Sequence, residues 1–351
     1  MKAILLAGGK GTRLRPLTVH TPKPIVPIFD RPFLRYQIEL LRRMPEIDEI
    51  ILSLNYQPSR IEEVFGEGQD MGVRLRYVVE PMPLGTAGAV KYAEEFLDDS
   101  VIVFNGDVLT GIDLPAVVRL HRERRARATI VLTPVENPTG YGLVETDVDG
   151  NVRRFLEKPK PEEITCDTIN AGIYVLEPDT FDRIPSHTAW SIERSYFPSL
   201  VDRGDTFVAY VYDGYWIDIG TPEKYRQVHR DILAGRFPVT LDAERRFGGW
   251  VHSSAELSEG AVLEPPFYVG PGCRVAEKAR IGPDAVLVAE VRVDAGALVR
   301  DSVLWAGGRV GSGAELDEVL AGTGVQVGSY CRVRGAVLGE GSVLTDHSQV
   351  P

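Results

Sequence analysis

The sequence predicts an α/β fold with a mainly parallel sheet, followed by a parallel β-helix, and two observations support this prediction. Before Gly235, apolar stretches typical of strands alternate with stretches typical of helices. After residue 250, apolar side chains recur at every sixth position. We therefore expect two domains, at 1–234 and 251–351, joined by a connector at 235–250 that mixes Pro, Gly and charged residues without periodicity.

The beginning of the chain predicts a buried strand followed by a phosphate-binding turn. Ala3 to Ala7 is a short apolar run without alternation, as expected at the centre of a parallel sheet. Three glycines and three cations follow it: Gly8, Gly9 and Gly11, and Lys10, Arg13 and Lys23. Glycines let backbone N–H groups approach an anion closely, and the cations add positive charge. A plain strand-to-helix turn would explain the glycines but not the cations, and Leu14 stands where a dinucleotide-binding fingerprint needs its third glycine.

The following elements continue the alternation of strands and helices. We expect strands at Glu49 to Leu54, Arg74 to Val79, Val101 to Phe104 and Thr129 to Leu132, and helices at Phe33 to Arg43 and Ala87 to Phe96. Ligands of such sheets bind at the carboxyl ends of the strands. The glycine turn after Ala7 and the turn formed by Asn105, Gly106 and Asp107 should therefore share one rim of the sheet.

The C-terminal part of the chain repeats every six residues. The repeat runs through Leu257, Leu263, Val269, Val275, Ile281, Leu287, Val293 and Val299, and after a slip in phase it resumes at Val310 and Leu316, Val327 and Val333, and Leu338, Leu344 and Val350. Such coils bury their apolar side only by stacking on one another, as in a β-helix. A sandwich of short strands would instead need two-residue alternation and irregular loop spacing.

Composition narrows the possible partners. A formal net charge of −11 argues against a nucleic-acid partner, so the ligand should be a small molecule. Cys166, Cys273 and Cys331 show no CxxC spacing, which suits reduced thiols and a cytoplasmic location. No apolar run approaches the ~18 residues that a transmembrane helix requires, so we expect no membrane partner.

The strongest motif lies at residues 8–24, where GGKGTRLRPLTVHTPKP fills every position of the signature GGxGTRLxPLTxxxPKP. The chain thus resembles the sugar-nucleotide pyrophosphorylases, nucleotidyltransferases that join a sugar 1-phosphate to an NTP. The resemblance implies a Rossmann-like nucleotidyltransferase domain followed by a left-handed β-helix of hexapeptide repeats. It implies catalytic roles for Arg13, Lys23 and Asp107. The expected nucleotide-binding residues are Leu6, Ala7, Gly8, Gly9, Gly11, Thr12, Arg13, Lys23, Glu80, Gly85 and Asp107.

The resemblance also implies a magnesium site. Asp107 follows an apolar strand in FNGDVL, at the position where the family binds its catalytic magnesium, although an Asp here could also simply cap a turn. The family's second metal-binding Asp occurs in a W-x-D-x-GT segment, which Trp216, Asp218, Gly220 and Thr221 match. Mg²⁺ is a hard cation, usually held by one or two carboxylates plus substrate phosphates. We therefore expect Asp107 and Asp218 to be the metal ligands.

Three further motifs resemble the part of the family's site that binds the sugar phosphate. Glu157 and Lys158 belong to an EKP motif, Asn170 begins NAGIY, and Gly142 follows Tyr141 in a YG turn. The resemblance assigns Glu157 and Asn170 to sugar hydroxyls and brings Gly142 close to the sugar. Lys158 would hold the sugar phosphate, a role suited to a flexible point charge, although a single lysine is more often a solvated surface residue.

The residue at position 80 bears on the choice of base. Relatives that use dTTP or UTP commonly carry Gln there, whereas this chain has Glu80. An ionised carboxylate only accepts hydrogen bonds, and guanine offers two adjacent donors, so Glu80 favours GTP unless it is merely a solvated residue at a strand end. The string E-x-x-PLGTAGA at residues 80–89 resembles that of mannose-1-phosphate guanylyltransferases, so we expect the substrates to be GTP and mannose 1-phosphate. The alternatives are a thymidylyl- or uridylyltransferase acting on glucose 1-phosphate, a bifunctional nucleotidyltransferase and acyltransferase, or a non-catalytic regulatory subunit.

The β-helix carries no evident catalytic group, so we expect it to mediate assembly into a homo-oligomer. Trp250, Phe267 and Trp305 are the apolar residues that we expect to lie on its outside and to contact another protomer.

Overall fold

The computed structural model describes residues 1–351, which pack into two compact units that do not follow chain order. The first unit contains Met1–Gly9 and Leu34–Trp216, and the second contains Lys10–Phe33 and Ile217–Pro351. The N-terminal signature is therefore divided, because its first glycines belong to the first unit and its cations to the second. The chain segments 1–234, 235–250 and 251–351 remain a prediction, since the two units are defined by packing.

A nine-stranded sheet forms the centre of the first unit. Its strands are β1 (Lys2–Leu6), β2 (Glu49–Leu54), β3 (Arg74–Val79), β4 (Val101–Asn105), β5 (Ala128–Pro134), β6 (Gly142–Thr146), β7 (Val152–Glu157), β8 (Thr168–Leu176) and β9 (Phe207–Val211). The main order is β7-β6-β8-β4-β1-β2-β3, and β5 pairs with both β8 and β9. All four strands expected from the sequence after β1 are present, with ends that differ by at most two residues.

The strands β3, β2, β1 and β4 run parallel, as predicted, whereas β8 joins them antiparallel. Apolar residues without alternation predominate in β1, β2 and β4, because both faces of these strands are covered. In register, Leu6 at the end of β1 lies between Ser53 and Asn105. The carboxyl ends of the central strands therefore meet at one rim.

The longer helices are α1 (Phe33–Arg42), α2 (Pro58–Phe65), α3 (Gly85–Tyr92), α4 (Leu114–Glu123), α5 (Phe197–Asp202) and α6 (Pro222–Leu233). Short strands occur at Pro27–Ile28, Arg31–Pro32, Val108–Thr110, Trp216–Asp218 and Glu244–Arg246. The predicted helix at residues 87–96 is broken, because α3 ends at Tyr92 and a separate 3-10 turn spans Glu94–Phe96. None of the helices combines the length and apolar character that a membrane crossing requires.

The C-terminal part of the second unit is a β-helix with three parallel sheets. Face A contains Gly249–Val251, Phe267–Val269, Ala285–Leu287, Val303–Leu304, Leu320–Ala321 and Val337–Leu338. Face B contains Glu256–Leu257, Arg274–Val275, Arg292–Val293, Arg309–Val310, Gln326–Val327 and Val343–Leu344. Face C contains Val262–Leu263, Arg280–Ile281, Leu298–Arg300, Glu315–Asp317, Arg332–Arg334 and Gln349–Val350. The predicted hexad positions form its apolar core.

The slip in phase has a simple structural cause. Each coil visits faces A, B and C, and the corner from face C to face A becomes one residue shorter after the third full coil. Ile281 and Leu287 are six residues apart across this corner, whereas Val299 and Leu304 are five apart. The same shortening recurs in the later coils, so the inward residues stay in register while the linear spacing changes.

Two residues expected on the outside of the β-helix are buried within the chain. Phe267 belongs to the apolar core and is 0% exposed, and Trp305 is 2% exposed. The prediction that they contact another protomer is therefore wrong. Trp250 is half-buried, with the Arg245 guanidinium 5.1 Å from its ring centroid.

Candidate active site

The turn after β1 packs directly on the turn after β4, in the first unit. The backbone N–H of Ala7 donates to the Ser53 carbonyl over 2.9 Å, and the N–H of Gly106 donates to the Leu6 carbonyl over 3.0 Å. A Cβ on Gly106 would lie 2.5 Å from that carbonyl oxygen, so only glycine allows this approach. Asp107 is therefore brought to the rim where the glycine turn begins, as the sequence predicts.

Glu80 is buried beside the glycine turn rather than solvated. It is 7% exposed; its Oε1 accepts from the Ser53 hydroxyl and its Oε2 from the Leu84 N–H, each over 2.9 Å. A Cβ on Gly8 would lie 3.4 Å from Oε1, which puts the carboxylate next to the turn. Each carboxylate oxygen has a second lone pair, so Glu80 can still accept two hydrogen bonds. Gly9 is exposed, and its Cα faces open space.

Gly85 begins α3 in a left-handed conformation, with φ 70°. A Cβ there would lie 2.7 Å from the Trp190 carbonyl oxygen, which also accepts from the N–H groups of Ala87 and Gly88. The segment around Trp190 thus fixes the start of α3. Gly85 therefore has a demonstrated structural role in addition to the predicted role in nucleotide binding.

Gly142 and Glu157 meet at the hairpin of β6 and β7. A Cβ on Gly142 would lie 2.7 Å from Phe155 Cζ and 3.2 Å from Glu157 Oε2, so a larger residue would displace the Glu157 side chain. The adjacent Tyr141 ring packs edge-on against Trp216, with ring centroids 5.7 Å apart. These side chains pack together at the end of the hairpin.

Asn170 lies at an irregularity of β8, where the pairing with β5 shifts register. Its Nδ2 donates to the Tyr174 hydroxyl over 2.8 Å, and its Oδ1 accepts from the Gly172 N–H over 2.9 Å. Burial raises the pKa of Tyr174 well above its usual value, so this hydroxyl stays protonated. Gly172, with φ 75°, packs so closely on Asn105 that a Cβ would lie 2.8 Å from its Nδ2. Asn170 is therefore held rigidly.

Glu157 and Lys158 differ in exposure. Burial, followed by the charge of Glu193, raises the pKa of Glu157, while Lys158 and Arg194 oppose the shift. Lys158 is exposed, has φ 52°, and donates its backbone N–H to the Tyr141 carbonyl. The Lys158 side chain is therefore accessible to solvent, and its charge acts on the neighbouring Glu157 carboxyl, which suits a residue that takes an anionic ligand.

The glycine loop in the second unit packs on Lys23. Gly11 has φ 59°, and a Cβ there would lie 3.1 Å from Lys23 Cβ. Thr18 donates its hydroxyl to the Gly11 carbonyl over 2.7 Å and so closes the loop. Thr12 and Arg13 are exposed in the 3-10 turn that follows, whereas Lys23 is only 9% exposed.

Arg13 and Asp218 converge on Gly220 in the second unit. A Cβ on Gly220 would lie 2.7 Å from Arg13 Nη2 and 3.0 Å from Asp218 Oδ2. Lys224 pairs with Asp218 Oδ1 through its ammonium group. The W-x-D-x-GT motif therefore needs its glycine because the Arg13 guanidinium occupies the space of a side chain.

The comparisons with known proteins show the family to which the chain belongs. Residues 2–235 match the family described as nucleotidyl transferase, and residues 263–350 match the GMPPB C-terminal domain. The chain belongs to the nucleotidyl transferase family. It is a sugar-1-phosphate nucleotidyltransferase with a C-terminal β-helix.

Three similar proteins illustrate the range of this family. Mannose-1-phosphate guanylyltransferase of Mycobacterium tuberculosis is 40% identical over 85% of this chain and 82% of its own length. UTP--glucose-1-phosphate uridylyltransferase of Synechocystis is 35% identical over 85% of this chain and 81% of its own length. The crystal structure of HddC from Yersinia pseudotuberculosis, complexed with GMP-PN, matches with 30% identity and a TM-score of 0.56 over 64% of this chain and 96% of that one.

The carboxylates of this nucleotidyltransferase suit a divalent metal. The chain contains no group of three or more His, Cys, Asp and Glu residues that could hold a metal ion unaided. Asp107 and Asp218 carry carboxylate oxygens, which are hard donors of the kind that Mg²⁺ binds together with water and substrate phosphates. The donor chemistry therefore fits a cation that binds together with the nucleotide.

Sequence reasoning missed two charged residues of the nucleotidyltransferase. Lys224 gave no motif signal, although its position six residues after Asp218 places it in the first turn of α6. Glu193 accepts from the hydroxyls of Thr86 and Ser191 and lies in a π-helical turn, Ile192–Tyr196. The irregular hydrogen bonding of such a turn leaves no periodicity in the sequence, so Glu193 could not be located from its pattern.

Proposed function

We propose that this nucleotidyltransferase converts GTP and mannose 1-phosphate to GDP-mannose and pyrophosphate. The buried carboxylate of Glu80, beside Gly8 in the glycine turn, is the observation that carries the choice of base. The similarity to the mannose-1-phosphate guanylyltransferase of Mycobacterium tuberculosis supports the choice of both substrates.

Guanine and Glu80 are complementary in hydrogen bonding. The remaining lone pairs of the carboxylate oxygens can accept from the N1–H and N2–H groups of guanine. Thymine and uracil present one donor beside carbonyl acceptors, and a carboxylate would face those acceptors unfavourably. The Ser53 and Leu84 donors already fix the orientation of the carboxylate, so little entropy is lost when the base binds.

The proposed reaction is an in-line displacement. An oxygen of the sugar 1-phosphate attacks the α-phosphorus of GTP, the bond from that phosphorus to the bridging oxygen breaks, and pyrophosphate leaves. The attacking phosphate is already ionised at neutral pH, so positioning and charge neutralisation dominate catalysis. Lys158 would align the sugar phosphate, and Arg13 and Lys23 would stabilise charge on the α-phosphate and on pyrophosphate.

The other predicted residues would hold the two substrates. The backbone around Leu6, Ala7, Gly8, Gly9, Gly11, Thr12 and Gly85 would bind the nucleotide. The side chains of Glu157 and Asn170, with the close approach allowed by Gly142, would bind the sugar. Asp107 and Asp218 would hold Mg²⁺, which when bound neutralises charge on the phosphates.

A pyrophosphate-release assay tests this function. The protein is incubated with GTP, dTTP, UTP, ATP or CTP, each combined with mannose 1-phosphate or glucose 1-phosphate. We expect GTP with mannose 1-phosphate to give the highest kcat/KM and EDTA to stop turnover. A preference for UTP and glucose 1-phosphate would instead favour the activity named for the Synechocystis relative, and no turnover with any pair would favour a regulatory subunit.

A further inference from the structure

Helix α6 contacts residues 22–33, which we call the Lys23 loop, at two points, both within the second unit. The hydroxyl of Tyr225 donates to the Pro27 carbonyl. Nε2 of His229, one turn further along α6, lies 3.4 Å from the Phe29 backbone nitrogen and accepts its N–H. The segment that follows Lys23 is thus attached to α6 through two of its backbone groups.

His229 is in the state that this contact needs. Its Nδ1 lies 2.8 Å from the Tyr225 carbonyl oxygen, so Nδ1 carries the proton and Nε2 has the lone pair. Burial lowers the pKa of His229 to about 4, and the ring is therefore neutral at pH 7.

The β-helix contacts the loop and Tyr225 from the other side. We call Tyr225, His229 and Trp305 together the clamp. Nε1 of Trp305 donates to the Tyr225 hydroxyl over 2.9 Å, and both side chains are almost completely buried. The ring of Phe29 packs edge-on against Tyr268 of face A, with centroids 5.0 Å apart and an interplanar angle of 90°. The same ring lies 5.2 Å from that of His229. The β-helix therefore supports the loop directly through Tyr268 of face A, and indirectly through Trp305 and Tyr225.

Ion pairs fix α6 on the β-helix at the short corners between faces C and A. Arg230 binds Asp301 with two nitrogens, and the Nε contact is 2.7 Å. Arg226 donates to the Glu318 carbonyl over 2.9 Å and lies 3.8 Å from Asp301. Asp301 is 8% exposed, so removal of either Arg230 or Asp301 would leave a largely buried charge without its main partner.

The same helix also organises the Asp218 segment. Thr221 caps the N-terminus of α6 by accepting from the Lys224 N–H, and Lys224 pairs with Asp218. One helix thus connects two proposed active-site elements, the Lys23 loop and Asp218, with the β-helix.

We propose that Tyr225, His229 and Trp305 are positioning residues for catalysis, and that the β-helix fixes the Lys23 loop through them. This proposal rests on the proposed nucleotidyl transfer, because it assigns the effect to the reaction in which Lys23 acts. Small displacements of a catalytic cation change the rate strongly, so loss of these contacts lowers kcat more than it raises KM.

Tyr225→Phe and Trp305→Phe test the clamp, because each removes one polar group and keeps an aromatic ring. Tyr196→Phe is the matched control, since Tyr196 is equally buried and its hydroxyl contacts Thr180 in the first unit. We expect kcat to fall about tenfold in both variants, with KM for the NTP changed less, and kcat to stay unchanged in the control. Adding Tyr225→Phe to a Lys23→Ala background should cause no further fall.

Amide hydrogen exchange of residues 22–33 gives a readout that does not depend on substrate. We expect faster exchange there in Tyr225→Phe and Trp305→Phe than in the wild type or in Tyr196→Phe.

Unchanged exchange would overturn the clamp, and faster exchange with unchanged kcat would overturn its role in catalysis. An additive effect of Tyr225→Phe and Lys23→Ala would overturn the assignment to Lys23. If the wild type turned over no substrate pair, the proposed function would fail while exchange still decided the clamp.

Discussion

Glu80 shows how a buried carboxylate can hold its own position and still select a ligand. Ser53 and Leu84 use one lone pair on each of its oxygens, and the other lone pairs remain for the base. Glutamine at this position could keep the Leu84 contact through its carbonyl and donate to the Ser53 hydroxyl through its amide. The replacement should therefore be tolerated by the fold and change mainly the choice of base.

Glu80→Gln should reduce the preference for GTP over UTP or dTTP. The amide would put a donor against a guanine donor, at a cost of about 1–3 kcal/mol, or roughly tenfold to a hundredfold in relative kcat/KM. The measurement is the ratio of kcat/KM values for the three nucleotides. Glu63→Gln, an exposed residue of α2, is the control that removes the same charge. An unchanged ratio in Glu80→Gln would show that the base is read elsewhere.

Individual site residues could be predicted where a motif names them, but their contacts could not. The proximity of Gly106 to the β1 turn followed from the topology of a parallel sheet. The pairing of Lys224 with Asp218 did not, because a lysine on an amphipathic helix looks like any solvated residue. Glu80 could be singled out by its type, whereas its burial depends on Ser53, which lies 27 residues earlier in the chain.

At the level of elements, periodicity located the strands and the β-helix but not the packing of α6. The pattern of α6 predicts an amphipathic helix and does not say what covers its apolar side. The structure shows that aromatic residues of α6, of the Lys23 loop and of face A contact one another. Trp305 illustrates why periodicity alone is not enough. The sequence suggests an interface between protomers for this residue, whereas in the structure it packs against Tyr225 of α6.

The clamp on α6 should make stability depend on pH through His229. Burial lowers the pKa of His229 from its ordinary value of 6.5 to about 4 in the folded protein, so the unfolded chain binds the extra proton first as pH falls. The contribution of His229 to the free energy of unfolding is complete above pH 6.5. It is lost as pH falls from about 6.5 to about 4, and the total loss is about 3 kcal/mol.

Denaturant unfolding at pH 7 and pH 4.5 checks this expectation. Other titrating groups affect the wild type and a His229→Gln variant alike, so the difference between the two proteins isolates His229. We expect the variant to be less stable than the wild type at pH 7 and the gap to narrow at pH 4.5. A constant gap would mean that His229 has the same proton affinity in the folded and unfolded states.

On the scale of the whole molecule, packing divides the chain differently from its motifs. Lys10–Phe33 belongs to the family match at residues 2–235, yet it packs with the β-helix unit. Sequence patterns cannot show this, because they report which residues are buried and not which distant segment buries them. The β-helix therefore has a task inside its own chain, whatever it contributes to assembly.

Assembly through the β-helix remains a prediction, now with different contact residues. Trp305 and Phe267 are used within the chain, whereas Tyr330 and Val343 are exposed apolar side chains of the β-helix. If these residues form the contact, light scattering at micromolar concentration should find an oligomer for the wild type and a smaller species for Val343→Glu, because a buried charge without a partner opposes association. Val148→Glu, at an exposed position of the first unit, should leave the mass unchanged. A monomeric wild type would remove assembly from the functions of the β-helix and leave its support of the Lys23 loop as a sufficient reason for the domain.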